Sequence, residues 1–593
     1  MSAAALVLIC WLGGSAALTA EPPAGRAPAS PGAAAPAGAA PASGAPVGPP
    51  LVEAIEVEVV NVDVVALDRS GKHVDGLRRE DFEVFEDGKR VPLANFLAPA
   101  GTAEEKAALA EDDPGDGAAA PQTAAAPAPD PRQRLYLVVY VDNDNLLPFG
   151  RNNILRQMRA WVGQALAPGD RVAVFTHQGS VRPEYGYNEP PDGVDRVLEE
   201  MTGQEARTGI LLADSTFQAK ADIANYPSCM PIFMDEMLGI ARRNAQAVLA
   251  NVKQSLEALE TTLQSLGQLE GRKALLYVSN GLPLRVGEEV FWALDEKCNT
   301  DYAKDSTIDT SSMLRRMTRA ANLNRVTLYS LEASGLRNYS SSSAEAGTLA
   351  RTPGVRELHE TMIWASAQDS LSNMASETGG RAALNGSDFT ADLAQIAGDF
   401  RHAYSLGFTP ARAGDRSGSH AIRVEVKRKG VRLHYRTSYF AFSLNDRLKA
   451  RVQGALFHGG VRNQLGAGLE LGTSTVPERG RLVVPFSIRI DLRRIVLVPQ
   501  GDLHEGRLSI LIASRDGYGN SPPLRRETVA VRIPAAELQA ALAKGYVYDF
   551  KLSLPVGRQR VAVEVYDEIG HGWSTLIEDL GVAADKVTDF GTG

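Results

Sequence analysis

Residues 140–145 read Tyr-Val-Asp-Asn-Asp-Asn, directly after the apolar run Leu-Tyr-Leu-Val-Val of 135–139. Asp142 and Asp144 stand two apart where a strand should end, and two carboxylates so spaced can both face one hard cation, which prefers oxygen ligands. A second apolar run, 272–278, ends in Ser279 and Asn280, whose hydroxyl and amide oxygen could reach the same edge. A third, 170–176, is followed by His177. Such a group could hold a divalent cation such as Mg2+. With His177 as base, it could also run a cation-dependent hydrolysis at Asp142 and Asp144. The plainer alternative is an aspartate that caps a turn, with its neighbour solvated.

Few other residues are placed for chemistry. The nine histidines form no His-Glu-x-x-His pair, no phosphate-binding Gly-rich loop follows a strand, and no Gly-x-Ser-x-Gly elbow presents a nucleophile. A net charge of −9 and the lack of a concentrated basic stripe argue against nucleic acid as partner. The three cysteines match no zinc pattern. Cys10 lies in the expected leader, so Cys229 and Cys298 remain, either paired or as two free thiols.

The elements that must position these residues follow from periodicity. Beyond Arg134, continuous apolar runs (135–141, 170–176, 272–279, 324–333) alternate with helical stripes such as Ile154, Leu155, Met158, Trp161 and Val162, or Val248, Val252, Leu256, Leu259 and Leu263. This pattern implies βαβ units and a doubly wound, mostly parallel, Rossmann-like sheet. In such sheets ligands sit at the carboxyl ends of the strands near the topological switch point, which is where Asp142 falls. Segments 55–68 and 82–97 are β-rich but too short to stand alone, so a block over 51–100 must pack on a neighbour. Alternating strands from 480 onward suggest a β-sandwich of immunoglobulin-like type.

At 593 residues several domains are expected. Residues 1–20 have the apolar centre and small-residue end of a signal peptide, although no basic residue precedes them. Residues 21–50 and 101–132 are Ala/Pro-rich spacers that cannot bury a core. No later stretch reaches the roughly 18 apolar residues of a membrane span. The expected division is a central α/β domain over 133–410, a β-hairpin extension over 411–444 and the sandwich over 445–593. Within it, the basic run from Arg447 to Gly460 reads as a solvated connector.

The strand-end motif resembles that of the von Willebrand factor A domain. The flanks Val-Asp-Gly-Leu-Arg-Arg-Glu-Asp-Phe-Glu-Val-Phe-Glu-Asp-Gly-Lys of 74–89 and Tyr-Ser-Leu-Gly-Phe-Thr-Pro of 404–410 are similar to the bacterial "VWFA-related" proteins of acidobacteria. The resemblance implies a metal-ion-dependent adhesion site, with Asp142 as the first Asp, Asp144 and Leu146 in place of its two serines, Thr208 as the loop threonine and Asn280 in place of its final Asp. Leu146 cannot ligate, so the adhesion site is degenerate. The resemblance thus leads to the expectation of a secreted or periplasmic, non-catalytic adhesion or scaffold protein with a protein partner. Two insertions, 212–237 and 286–312, should lie on the ligand-facing edge, each with one cysteine, so that a Cys229–Cys298 bond would tie them together. The cation-dependent hydrolase is the alternative.

Overall fold

Apolar strands alternating with amphipathic helices find a compact solution in a sheet buried on both faces, and the central residues adopt it. The computed structural model describes residues 59–99, 134–204, 207–267, 269, 271–334, 353–410, 419–440, 443–459, 462–472, 476–478, 481–583 and 586–589. The expected leader, first spacer and linker lie outside these residues. The central sheet has the order Ala382–Ala383, Val326–Glu332, Arg272–Ser279, Leu135–Asp142, Arg171–His177, Val181–Tyr185. Numbered along the chain and read from the Val181–Tyr185 edge, this is 3-2-1-4-5-6, the order of a doubly wound sheet. All neighbours are parallel except Val181–Tyr185. The two edge strands go beyond the four that apolar runs indicate. One has only two residues, and the other carries Arg182, Pro183 and Glu184, a composition tolerated at an edge.

Side-chain alternation divides each central strand between two cores. Leu137, Val139 and Val141 join the helices Pro148–Ala165, Val194–Thr202 and Thr390–Arg401 on one face. Val138 and Tyr140 join Pro231–Ser265, Glu288–Cys298 and Ser311–Leu323 on the other.

The chain's β-rich flanks do not stay separate. Val60–Leu67 pairs with both Ala403–Phe408 and Arg432–Tyr435, and Phe82–Glu86 pairs with Ser419–Val426. The result is two four-stranded sheets over one core that includes Val62, Phe82, Tyr404, Phe408 and Ile422. The boundary expected at 410 therefore moves back to about His402. Ala403–Phe408 leaves the last central helix directly and buries Tyr404, Leu406 and Phe408 among the flanking strands. The block of 51–100 and the extension of 411–444 are one unit into which the central domain is inserted.

The connector also differs from expectation. Residues Leu444–His458 form a helix opened by a reciprocal cap between Ser443 and Asp446. Leu448, Val452, Ala455 and Leu456 fall on one stripe, and they are buried together with the long helix and with Leu511, Ala513, Ala562 and Tyr566 of the carboxy-terminal sheets. The basic residues that suggested solvation occupy the other positions of the helix. Beyond it, a seven-stranded and a four-stranded antiparallel arrangement enclose a shared core of Phe486, Ile488, Ile510, Phe550 and Val563. The described residues belong to one compact unit.

One charged group lies inside this junction. Glu564 is fully buried, accepts from Thr575 and faces Arg451 of the connecting helix at 3.4 Å. Burial pushes its carboxyl up to about 7, with Thr575 and Arg451 opposing. A folded pKa above the unfolded value stabilises fully below about pH 4.5, and that stabilisation is lost as pH rises through 7. Glu564→Gln should therefore be more stable than the parent at pH 8 but not at pH 5. The difference should open by about 2 kcal/mol across that window in urea titrations. A gap that stays constant with pH would show that Glu564 does not titrate there.

Candidate functional site

The parallel register sets Asp142 directly beside His177, and Tyr140 beside Tyr277 on the other side. Residues two apart share a face of a strand, so Tyr140, Asp142, Tyr277 and Ser279 all stand on the side of the long helix. Asp142 is 0% exposed and Asp144 1%. A carboxylate so deep must be paired or hydrogen-bonded, and Asp142 is both. Its Oδ2 accepts from the Tyr277 hydroxyl at 2.5 Å, from Asn145 Nδ2 at 2.9 Å and from Ser279 at 3.3 Å. Its Oδ1 faces His177 Nδ1 at 3.1 Å. Burial first, and then the Asp142 charge, push the Tyr277 phenol well above its ordinary value, so it remains a donor.

Asp144 Oδ2 accepts the backbone N–H of Gly179 at 2.7 Å and lies 3.7 Å from the same imidazole nitrogen. Gly179 holds φ +68°, a conformation that glycine reaches without strain. Burial pushes the His177 pKa down, but the hydrogen bond to Asp142 and the charges of both aspartates outweigh it, and the ring is held above its ordinary value. The His177 ring thus stands within 3.7 Å of a carboxyl oxygen of each aspartate, a setting that favours its protonated form.

The long helix closes the arrangement. Asn251 donates to Asn145 Oδ1 at 2.7 Å, and Ser255 takes the second Asn145 amide bond at 2.8 Å. Because the helix runs antiparallel to the strands, residues before Asn251 project past the strand ends, by about 30 Å at 1.5 Å per residue. Helix Arg207–Asn225 abuts the strand-end loop so closely that a Cβ on Gly209 would stand 2.5 Å from the Leu146 carbonyl oxygen. The two insertions are thus helices that form a cap over the edge. A disulfide joins Cys229 to Cys298 across them, with Cα atoms 5.6 Å apart. Lys297 adds bonds to the carbonyls of Ala224 and Tyr226 at 2.6 and 2.7 Å.

The four residues expected to ligate fit a divalent cation poorly. Both oxygens of Asp142 are already engaged, and Leu146 is buried in the core. Thr208 falls in the first turn of Arg207–Asn225, and its side chain lies outside the described residues. Asn280 donates its backbone N–H to Asn145 at 3.1 Å, and its amide oxygen is buried without a partner, like Asp144 Oδ1, His177 Nε2 and the Tyr140 hydroxyl. Of these residues' described side-chain oxygens, those without a protein partner are Asp144 Oδ1 and Asn280 Oδ1, so a cation here would draw most of its ligands from water. Among the described residues no group of three His, Cys, Asp or Glu is arranged to hold a metal. His177, a candidate base on sequence grounds, instead lies buried against both aspartates, with Nδ1 turned towards their oxygens.

Sequence reasoning missed Tyr277, Asn145, Asn251 and Ser255. The signals were there in outline: Tyr277 shares the parity of Ser279 on its strand, and Asn251 and Ser255 are four apart beside an apolar stripe.

No family model and no curated protein matches the chain. Among solved structures, proximal thread matrix protein 1 from the mussel byssus is similar at 9% identity and a TM-score of 0.21, over 45% of this chain and 48% of that one. A von Willebrand factor type A protein from Catenulispora acidiphila is a weak neighbour at 10% identity and a TM-score of 0.18, over 77% of this chain and 65% of that one. A Bacteroides uniformis beta-glucuronidase follows at 12% identity and 0.13, over 31% and 19%. The chain spans less than two thirds of each of them, and scores this low carry no argument about activity. No described helix is long and apolar enough to cross a membrane.

Proposed function

We propose that this is an exported, non-catalytic protein-binding protein, an adhesion or scaffold module of von Willebrand factor A type, whose degenerate adhesion site works without a metal. The observation that carries the reading is the contrast between the centre and its cap. The acidic centre is sealed, and both of its carboxyl groups face the His177 ring. The segments around it expose large apolar side chains: Phe149 (85%), Ile232 (67%), Leu211 (65%), Phe217, Met230 and Leu147. Large exposed apolar side chains along the capping segments suit contact with another protein, and aromatic side chains are enriched at such interfaces. The Cys229–Cys298 bond supports an oxidising compartment, where such bonds persist. The sealed centre, in turn, gives a hydrolase no open carboxylate at Asp142.

The test is cross-linked capture of the partner by the full chain, with and without EDTA, beside a Phe149→Asp/Ile232→Asp variant that keeps the parent's melting temperature. The expected result is one partner retained in EDTA and lost from the variant. Capture that requires Mg2+, or that the variant leaves intact, would overturn the reading.

A further inference from the structure

A second cleft lies where the sandwich meets the central sheet. The turn Asp516–Asn520 reaches the strand-end loop: Ser180 donates to the Tyr518 carbonyl, and Arg182 Nε reaches the same oxygen at 3.4 Å. Gly519 packs so tightly there that a Cβ would stand 2.1 Å from the Val181 carbonyl oxygen. Beside this contact opens a cleft of about 970 Å3, walled by the edge strand on one side and by Arg515, Arg558 and Arg560 on the other. Its size falls in the range of ligand sites, about 300–1,000 Å3.

The charges in this cleft are unevenly committed. Its acids are all taken by protein donors. Glu184 accepts from Thr176 at 2.6 Å, and Asp579 holds Arg560 through two bonds of 2.7 and 2.8 Å. Asp516 ties its own turn through the N–H groups of Tyr518 and Asn520. Arg560 and Arg182 are matched, but Arg515 and Arg558 are not. Arg515 lies over the Phe457 ring at 4.6 Å, and its Nε and Nη1 are buried with no hydrogen-bond partner. A buried donor left unmet is costly, and more so when it is charged. Burial and the nearby Arg560 together push the Arg515 guanidinium down to about 10. Arg558, on the same wall, is exposed and is in no ion pair among the described residues.

We propose that this cleft binds a small ligand through an oxyanion, a carboxylate or a phosphate, with the half-buried Arg515 as the anchor and Arg558 as a second contact at the rim. Guanidinium recognises both groups through charge-assisted hydrogen bonds. Because the walls come from two domains, a bound ligand stabilises their junction. The site is independent of the capping surface and of whether that surface binds a protein.

The test is calorimetric titration of the full chain with inorganic phosphate and, separately, with succinate, at constant ionic strength set with chloride. Saturable binding of either one is expected, and which of them binds identifies the oxyanion. Arg515→Gln should weaken it about tenfold or more, as for a lost charge-assisted bond. Should Arg515→Gln fold poorly, Arg558→Gln, on the exposed rim, serves in its place and should weaken binding several-fold with an unchanged melting temperature. Absence of saturable binding of both anions, or binding that survives in every folded variant, overturns the proposal.

Discussion

Asp142→Ala should cost about 3–5 kcal/mol of stability, the range for breaking a buried ion pair by removing one partner. The substitution leaves the His177 ring without its nearest counter-charge at 3.1 Å and strands the donors of Tyr277, Asn145 and Ser279 in a place water does not reach. Asp144→Asn should cost much less, since an amide oxygen can still accept the Gly179 N–H. Urea unfolding of the two variants separates these outcomes. The same series distinguishes a centre closed by the His177 ring from one that holds a metal: the parent should melt at one temperature in EDTA and in millimolar Mg2+, Mn2+ or Ca2+. A cation that raises the parent's melting temperature, with Asp142→Ala insensitive to it, would mean that the centre does hold metal and that His177 gives way to it.

Reducing the Cys229–Cys298 bond, or replacing both residues by serine, should have the second largest effect. The bond closes a loop of 69 residues, for which chain entropy gives about 4 kcal/mol. The loss should be uneven along the chain. The cap should open first, because its helices are otherwise tied by a few polar contacts, among them those of Lys297, the Lys220–Glu289 pair and the Asn244–Thr216 bond, and exposed pairs contribute little. Hydrogen exchange should show faster amides in Arg207–Asn225 and Glu288–Cys298, with the strand Leu135–Asp142 unchanged. Uniform acceleration across both would mean that the cap and the sheet unfold as one.

Much of the central sheet was legible because burial on both faces makes a strand read as a continuous apolar run, as in Leu135–Val141 and Ala274–Val278. The switch-point position of Asp142 followed from that alone. The pairing of Val60–Leu67 with Ala403–Phe408 was not legible, since alternation says that a strand has a wet and a dry face but not which distant strand it joins. The same limit applies to the carboxy-terminal sheets, whose strands were visible and whose order was not. His177 was noticed as a residue, yet its role as counter-ion depended on the lateral register, which no local pattern records. The connector misled because Arg447, Lys449, Arg451 and His458 outweighed an apolar stripe that only a full helical projection reveals.

The interleaving of the flanking strands sets a timetable for synthesis. Val60–Leu67 finds one partner near Tyr404 and the other near Tyr435, so a chain made from its amino end must wait for both. At about 5–20 residues per second the delay is roughly 20–75 s. Throughout it, the run Val-Asn-Val-Asp-Val-Val-Ala-Leu is an open edge able to pair with any other chain. The central domain can close behind it in the meantime, since all its strands come from 135–383. The amino-terminal strands are therefore made first and placed last.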